Sequence, residues 1–153
     1  MKKMNGGIAM LLIGAAIFGW VAIAEGAPPS PSPMVSYAVK NFEDGKARFY
    51  EYKAEGNLTI KYFIIKSSDG VVRAAFDACD VCWPEGKGYF QQGDFMVCRN
   101  CGRKFASARV NEVKGGCNPA PLNRQIVGPA VVIKVADLLE GKKYFNFSQR
   151  RRR

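Results

Sequence analysis

Five cysteines, Cys79, Cys82, Cys98, Cys101 and Cys117, are the residues through which this chain can do chemistry. The first four are spaced C-x2-C-x15-C-x2-C, two tight pairs separated by an insert of hairpin length. Two thiolates three residues apart turn toward one point when the loop between them exposes its backbone amides. A hairpin then returns the second pair to meet the first and closes a tetrahedron of sulfur. Four soft thiolates select zinc, a single iron or an iron–sulfur cluster over hard cations. The expected metal ligands are therefore Cys79, Cys82, Cys98 and Cys101, with Gly102 supplying the close turn after the second pair. Three other chemistries compete. Two structural disulfides suit an exported chain, but a C-x2-C bridge closes a tiny loop and constrains the unfolded chain little. A thioredoxin-like redox pair needs a helix N-terminus to acidify its thiol, and neither pair opens such a helix. A structural zinc ribbon fits the spacing as it stands.

Cys117 sits in Gly115-Gly116-Cys117-Asn118-Pro119, a flexible loop brought to a rigid stop. It belongs with the cofactor-binding residues as a fifth ligand, an alternate ligand or a thiolate for a substrate metal. A buried thiol acting as a small hydrophobe is the plain alternative. Asp77 and Asp80 read as turn formers, and Trp83 and Met96 as packing around the site.

The chain has 153 residues and no histidine. That excludes a Ser-His-Asp triad, a Cys-His nucleophile pair and any His-ligated zinc or haem. An electron-transfer or metal-binding protein is expected rather than a hydrolase or transferase. The formal charge is +10. Arg99, Arg103 and Lys104 beside the second pair would suit phosphates, as in zinc ribbons that bind nucleic acid. Export across a membrane removes that substrate, so no nucleic acid is expected. Cations beside an anionic four-thiolate site lower the cost of its charge and offer a docking surface to an acidic redox or metal-transport partner.

The elements that must position the cysteines follow from the rest of the sequence. Lys2 and Lys3 precede the uncharged run 6–24, whose nineteen residues span roughly 28 Å as a helix, close to the hydrocarbon thickness of a bilayer. Residues 1–26 thus read as a membrane anchor in contact with lipid, or as a signal segment, since Ala22-Ile23-Ala24 also offers a cleavage site. Both readings export the remainder to the periplasm or cell exterior, anchored or secreted. Residues 27–34 form a Pro/Ser-rich linker, 35–148 the metal-binding domain and 149–153 a basic tail.

Within that domain the sequence predicts a mostly β fold, a small antiparallel β domain with two Cys-bearing loops. Strands are expected at 48–53, at Leu58–Lys66 with Leu58, Ile60, Tyr62 and Ile64 on one face, and at 71–76 after the turn Ser67–Gly70. A hairpin is expected across Gly93-Asp94. A late strand covers 130–135, 136–140 makes at most one helical turn, and Lys143–Phe147 closes the sheet. The order of loops and strands echoes either a zinc ribbon or a Rieske domain, with thiolates in place of the Rieske histidines. That replacement adds negative charge and places any cluster potential well below Rieske values.

The motifs FDAC-x2-C, GY-x3-GD, VC-x-NCG and GGCNP-x-PL, with the upstream phrase KSSDGVVRAAFDAC, resemble the C-terminal domain of the FtrD-like membrane iron–sulfur proteins over roughly residues 45–140. The resemblance implies an iron–sulfur cluster or single iron, an association with bacterial iron uptake, and electron transfer. Longer members of that family carry many membrane helices before this domain, so permease function does not transfer to a chain with one. The expected function is a membrane-anchored extracytoplasmic iron–sulfur or iron-binding electron carrier. The alternative is a non-redox four-Cys zinc module for interaction or metal handling.

Overall fold

The computed structural model describes residues 32–147. Nine strands make three antiparallel sheets of three strands each. The strands are β1 (Met34–Ala38), β2 (Arg48–Ala54), β3 (Leu58–Lys66), β4 (Val72–Phe76), β5 (Tyr89–Gln92), β6 (Phe95–Cys98), β7 (Lys104–Ala106), β8 (Gln125–Val127) and β9 (Ala130–Lys134). Two short helices, α1 (Val135–Leu139) and α2 (Lys142–Phe145), close the fold. The sheets are ordered β1-β9-β8, β2-β3-β4 and β5-β6-β7. The predicted mostly β, antiparallel class is what is found. The apolar run 6–24 and the arginine tail lie outside the described residues. No helix among the described residues is long and apolar enough to cross a membrane.

β3 organises the molecule because it is buried on both faces. Ile60, Tyr62 and Ile64 enter the larger hydrophobic cluster with Val72, Ala74 and Phe76 of β4, Val131 and Ile133 of β9, and Leu138 of α1. The alternate residues Phe63 and Ile65 face the other way, into a second cluster that contains Cys79, Cys98 and Cys117. Period-two alternation therefore splits one strand between a structural core and the floor of a cysteine site. The predicted face of Leu58, Ile60, Tyr62 and Ile64 is the one packed on the larger cluster, with Leu58 at its margin.

The sheets are tied together by specific contacts. The Tyr37 and Tyr50 rings lie 4.2 Å apart and the Tyr50 and Tyr62 rings 5.6 Å apart, linking β1 to the central sheet. On the other side, the Ala47 N–H donates to Gln91 Oε1 (2.6 Å) and Gln91 Nε2 donates to the Gly45 carbonyl (2.8 Å). The Phe63 and Tyr89 rings sit 6.4 Å apart across the same junction.

One predicted element changes class. Lys143–Phe147 does not close a sheet as a strand, because Lys142–Phe145 is helical. Helical spacing lets adjacent Tyr144 and Phe145 both bury against the central sheet, whereas a strand would send one of them to the opposite face. The approach is close: a Cβ on Gly141, just before α2, would overlap the Phe76 ring. Three strands, β1, β7 and β8, carry no clear strand signal in the sequence. The last two have three residues each, below the length at which alternation is legible.

Candidate metal centre

The first cysteine pair lies where β4 runs out of the central sheet. The Asp77 N–H still donates to the Lys61 carbonyl (2.9 Å), after which the chain turns through Cys79 and Cys82 into a 3-10 turn at Trp83–Glu85. The second pair lies at the end of β6, where Cys98 pairs across the hairpin with Tyr89. Gly102 then closes a tight knuckle: its N–H donates to the Cys98 carbonyl (2.9 Å), and the Cys98 N–H takes the Arg103 carbonyl (3.0 Å). This turn requires positive φ, and Gly102 has φ +72.

Cys117 reaches the same place by a different route. The segment that follows it runs antiparallel to β4, with the Ala120 N–H on the Ala78 carbonyl (2.9 Å) and the Phe76 N–H on the Ala120 carbonyl (2.8 Å). Ala75 and Pro121 form a bridge between the two segments. The buried Tyr89 hydroxyl donates to the Cys117 carbonyl (2.6 Å) and fixes the loop from below. The rigid stop at Asn118-Pro119 thus leads into a docked segment.

All five cysteines are free thiols. Their sulfurs fall into two triads, each with mutual distances within 4.8 Å: Cys79, Cys82 and Cys117, and Cys82, Cys98 and Cys101. The structure brings the four cysteines of the paired motifs together and adds Cys117, whose sulfur lies 3.8 Å from that of Cys82. Cys79, Cys98 and Cys117 are buried, Cys82 is half-buried and Cys101 is exposed.

Backbone amides support the sulfurs. The Cys82 N–H donates to Cys79 Sγ (3.1 Å), and the N–H groups of Cys101 and Asn100 favour the thiolate of Cys98. Each knuckle therefore aims an amide at the sulfur of its first cysteine. Burial nevertheless pushes the Cys98 thiol up to about 11, and burial also raises that of Cys117. At Cys101 the upward push of burial is outweighed, first by the N–H of Arg103, and its thiol is lowered. A site of this kind holds protons when empty and gives them up to a metal.

Asp77 does more than form a turn. Its carboxylate accepts the Tyr89 N–H (2.6 Å) and so locks the first cysteine loop to β5. Asp80 accepts the Tyr144 hydroxyl (2.6 Å), locking the same loop to α2. Neither locking role is legible from local sequence, since each partner lies in a distant element. Met96 is buried within the second cluster and Trp83 packs at the margin of the first, as expected of packing residues. A cavity of about 290 Å³ is lined by Cys79, Cys82 and Cys98, together with Lys61, Asp77 and Trp83.

Burial pushes the Asp77 carboxyl up to about 6, against the pull of the Tyr89 N–H and the charges of Lys61 and Arg99. A carboxyl whose pKa rises on folding contributes stability fully below its unfolded value, and that contribution is lost as pH rises through the folded value. Asp77→Asn keeps an oxygen for the Tyr89 N–H and buries no charge. The reduced, metal-free variant is expected to melt higher than wild type at about pH 7, and the two are expected to converge at about pH 4. A variant whose stability still falls as wild type does across that interval would contradict this assignment.

A family profile described as membrane iron-sulfur containing protein FtrD-like matches residues 42–145. The chain belongs to the FtrD-like family. The match takes in all five cysteines, both knuckles and eight of the nine strands, β2 to β9. No curated protein and no solved structure gives a match. The FtrD-like name implies an iron–sulfur group, and the donor set fits one. Five sulfurs lie in two adjoining triads that share Cys82, with amides already directed at three of them. Thiolate is the ligand that soft iron–sulfur centres take.

Proposed function

We propose that this FtrD-like chain is a membrane-anchored, extracytoplasmic iron–sulfur or iron-binding electron carrier that serves metal uptake. The observation that supports it is the gathering of five thiols into two triads that share Cys82. When bound, an iron–sulfur group supplies a one-electron couple whose potential follows cluster charge, hydrogen bonds to sulfur and solvent exposure. The residues of this chain supply the rest. Phe63, Ile65, Tyr89 and Met96 form a dry floor beneath the sulfurs, and the knuckle amides offset thiolate charge.

The exposed rim gives electrons a short way out. Residues 99–104 are all solvent-exposed and include Cys101 with Arg99, Arg103 and Lys104. Arg99 is held in place by its Nε on the Tyr89 carbonyl (3.0 Å) and by the Phe90 ring, 5.0 Å from its guanidinium carbon. A basic collar around an exposed sulfur suits an acidic redox partner, with encounter rates that fade at high salt. Lys2 and Lys3 before the apolar run 6–24 support the exported orientation and the lipid anchor.

Reductive titration of the full chain, purified without air, tests the carrier reading. Visible absorption is expected to bleach and return reversibly, with a midpoint below the roughly −150 mV floor of Rieske centres. Visible bands that do not respond to reductant would exclude an electron carrier.

A further inference from the structure

The two sulfur triads share one member, Cys82. A single tetrahedral ion asks four sulfurs to surround one point. The mutual spacing found here defines two points instead, one among Cys79, Cys82 and Cys117 and one among Cys82, Cys98 and Cys101. We propose that Cys82 is a bridging thiolate that joins two soft-metal centres, each facing three protein sulfurs. The proposal rests on the reading that these thiols hold metal, and adds how many ions they hold and which thiol is common to both.

Three observations carry it. Two sulfurs that bind one ion at about 2.3 Å stand roughly 3.8–4.0 Å apart, and Cys82 Sγ lies 3.8 Å from Cys117 Sγ. The Cys117 pair therefore has the span of shared ligation, although C-x2-C-x15-C-x2-C alone would complete a tetrahedron. Second, Cys82 is the one cysteine whose sulfur lies within 4.8 Å of every member of both triads, and its sulfur also faces the side-chain amide of Asn100. Third, charge favours two ions over one. Two divalent ions among five thiolates leave one net negative charge, whereas one divalent ion in four thiolates leaves two and strands the fifth sulfur. Buried uncompensated charge is costly. Each ion that enters displaces thiol protons to solvent, and no electrons move.

The reduced, metal-free full chain in detergent, titrated anaerobically with cadmium-113 and no sulfide, tests the bridge. Two cadmium ions per chain are expected, with two NMR signals that split one another through the common sulfur. That readout needs no variant. Cys82→Ser is expected to abolish the splitting and weaken both positions about tenfold or more, while Cys117→Ser and Cys101→Ser each weaken one position. One cadmium per chain, two signals without mutual splitting, or a Cys82→Ser variant that disturbs one signal alone would overturn the bridge and leave the metal-holding reading standing. A chain that takes up no cadmium would overturn both.

Discussion

Cys98→Ser is expected to lose metal from the second triad and thermal stability together. Cys98 is buried at the end of β6, and its sulfur is a member of the second triad. Its carbonyl and N–H also close the knuckle with Gly102 and Arg103, so the substitution keeps the turn and changes only the donor. A serine hydroxyl is a poor soft-metal ligand. The second cluster is small and includes three of the cysteines themselves, so folding on that side leans on whatever the sulfurs bind. A metal present at about 100 times its Kd stabilises by about 2.7 kcal/mol, worth roughly 10 °C in a domain of this size. Metal analysis and a thermal melt of the same sample check the pairing. Metal lost with an unchanged melting temperature would mean that the site is functional without being structural.

Gly88→Ala is expected to damage the fold and the metal site together. Gly88 has φ +66, and a Cβ there would overlap the Asp77 carboxylate. Positive φ alone costs a non-glycine residue about 1 kcal/mol. Displacing Asp77 breaks its hydrogen bond to the Tyr89 N–H, which adds about 1–3 kcal/mol for buried polar groups left unpaired. The shift propagates to the metal site, because the Tyr89 ring lies under the sulfurs and its hydroxyl holds the Cys117 loop. A denaturant melt should lose about 2–4 kcal/mol, and metal affinity should fall with it. Gly93→Ala, in the neighbouring hairpin turn, is the control: its φ is +56 but its Cβ would meet nothing within 4 Å. Equal losses in the two variants would mean that the turn alone, and not the Asp77 contact, is responsible.

What the sequence revealed of this site depends on how local each signal is. The two knuckles are legible because C-x2-C with a following glycine is a complete local device. The hairpin between them is equally plain, since Gly93-Asp94 separates two apolar runs. Cys117 was legible as a site residue but not as a neighbour of Cys79 and Cys82. Its position is set by main-chain pairing of the Pro121 segment with β4, and such pairing leaves little trace in side-chain pattern. Asp77 and Tyr89 depend on each other across twelve residues, so neither betrays the contact alone. The error at 143–147 has the same origin. Aromatic-rich KYFNF fits a strand by propensity, and the packing of Tyr144 and Phe145 on the central sheet overrides it. The burial of β3 on both faces was also hidden, because Phe63 and Ile65 simply lengthen an apolar run that alternation had already explained.

Iron content decides whether these thiols hold the redox-active iron centre proposed above. Full-length protein purified without air should be analysed for iron, zinc and acid-labile sulfide alongside its visible spectrum. Stoichiometric iron is expected, with thiolate-to-iron absorption in the visible and accompanying sulfide where the centre is a cluster. Stoichiometric zinc in a colourless protein would contradict it, since Zn²⁺ has no electron to pass.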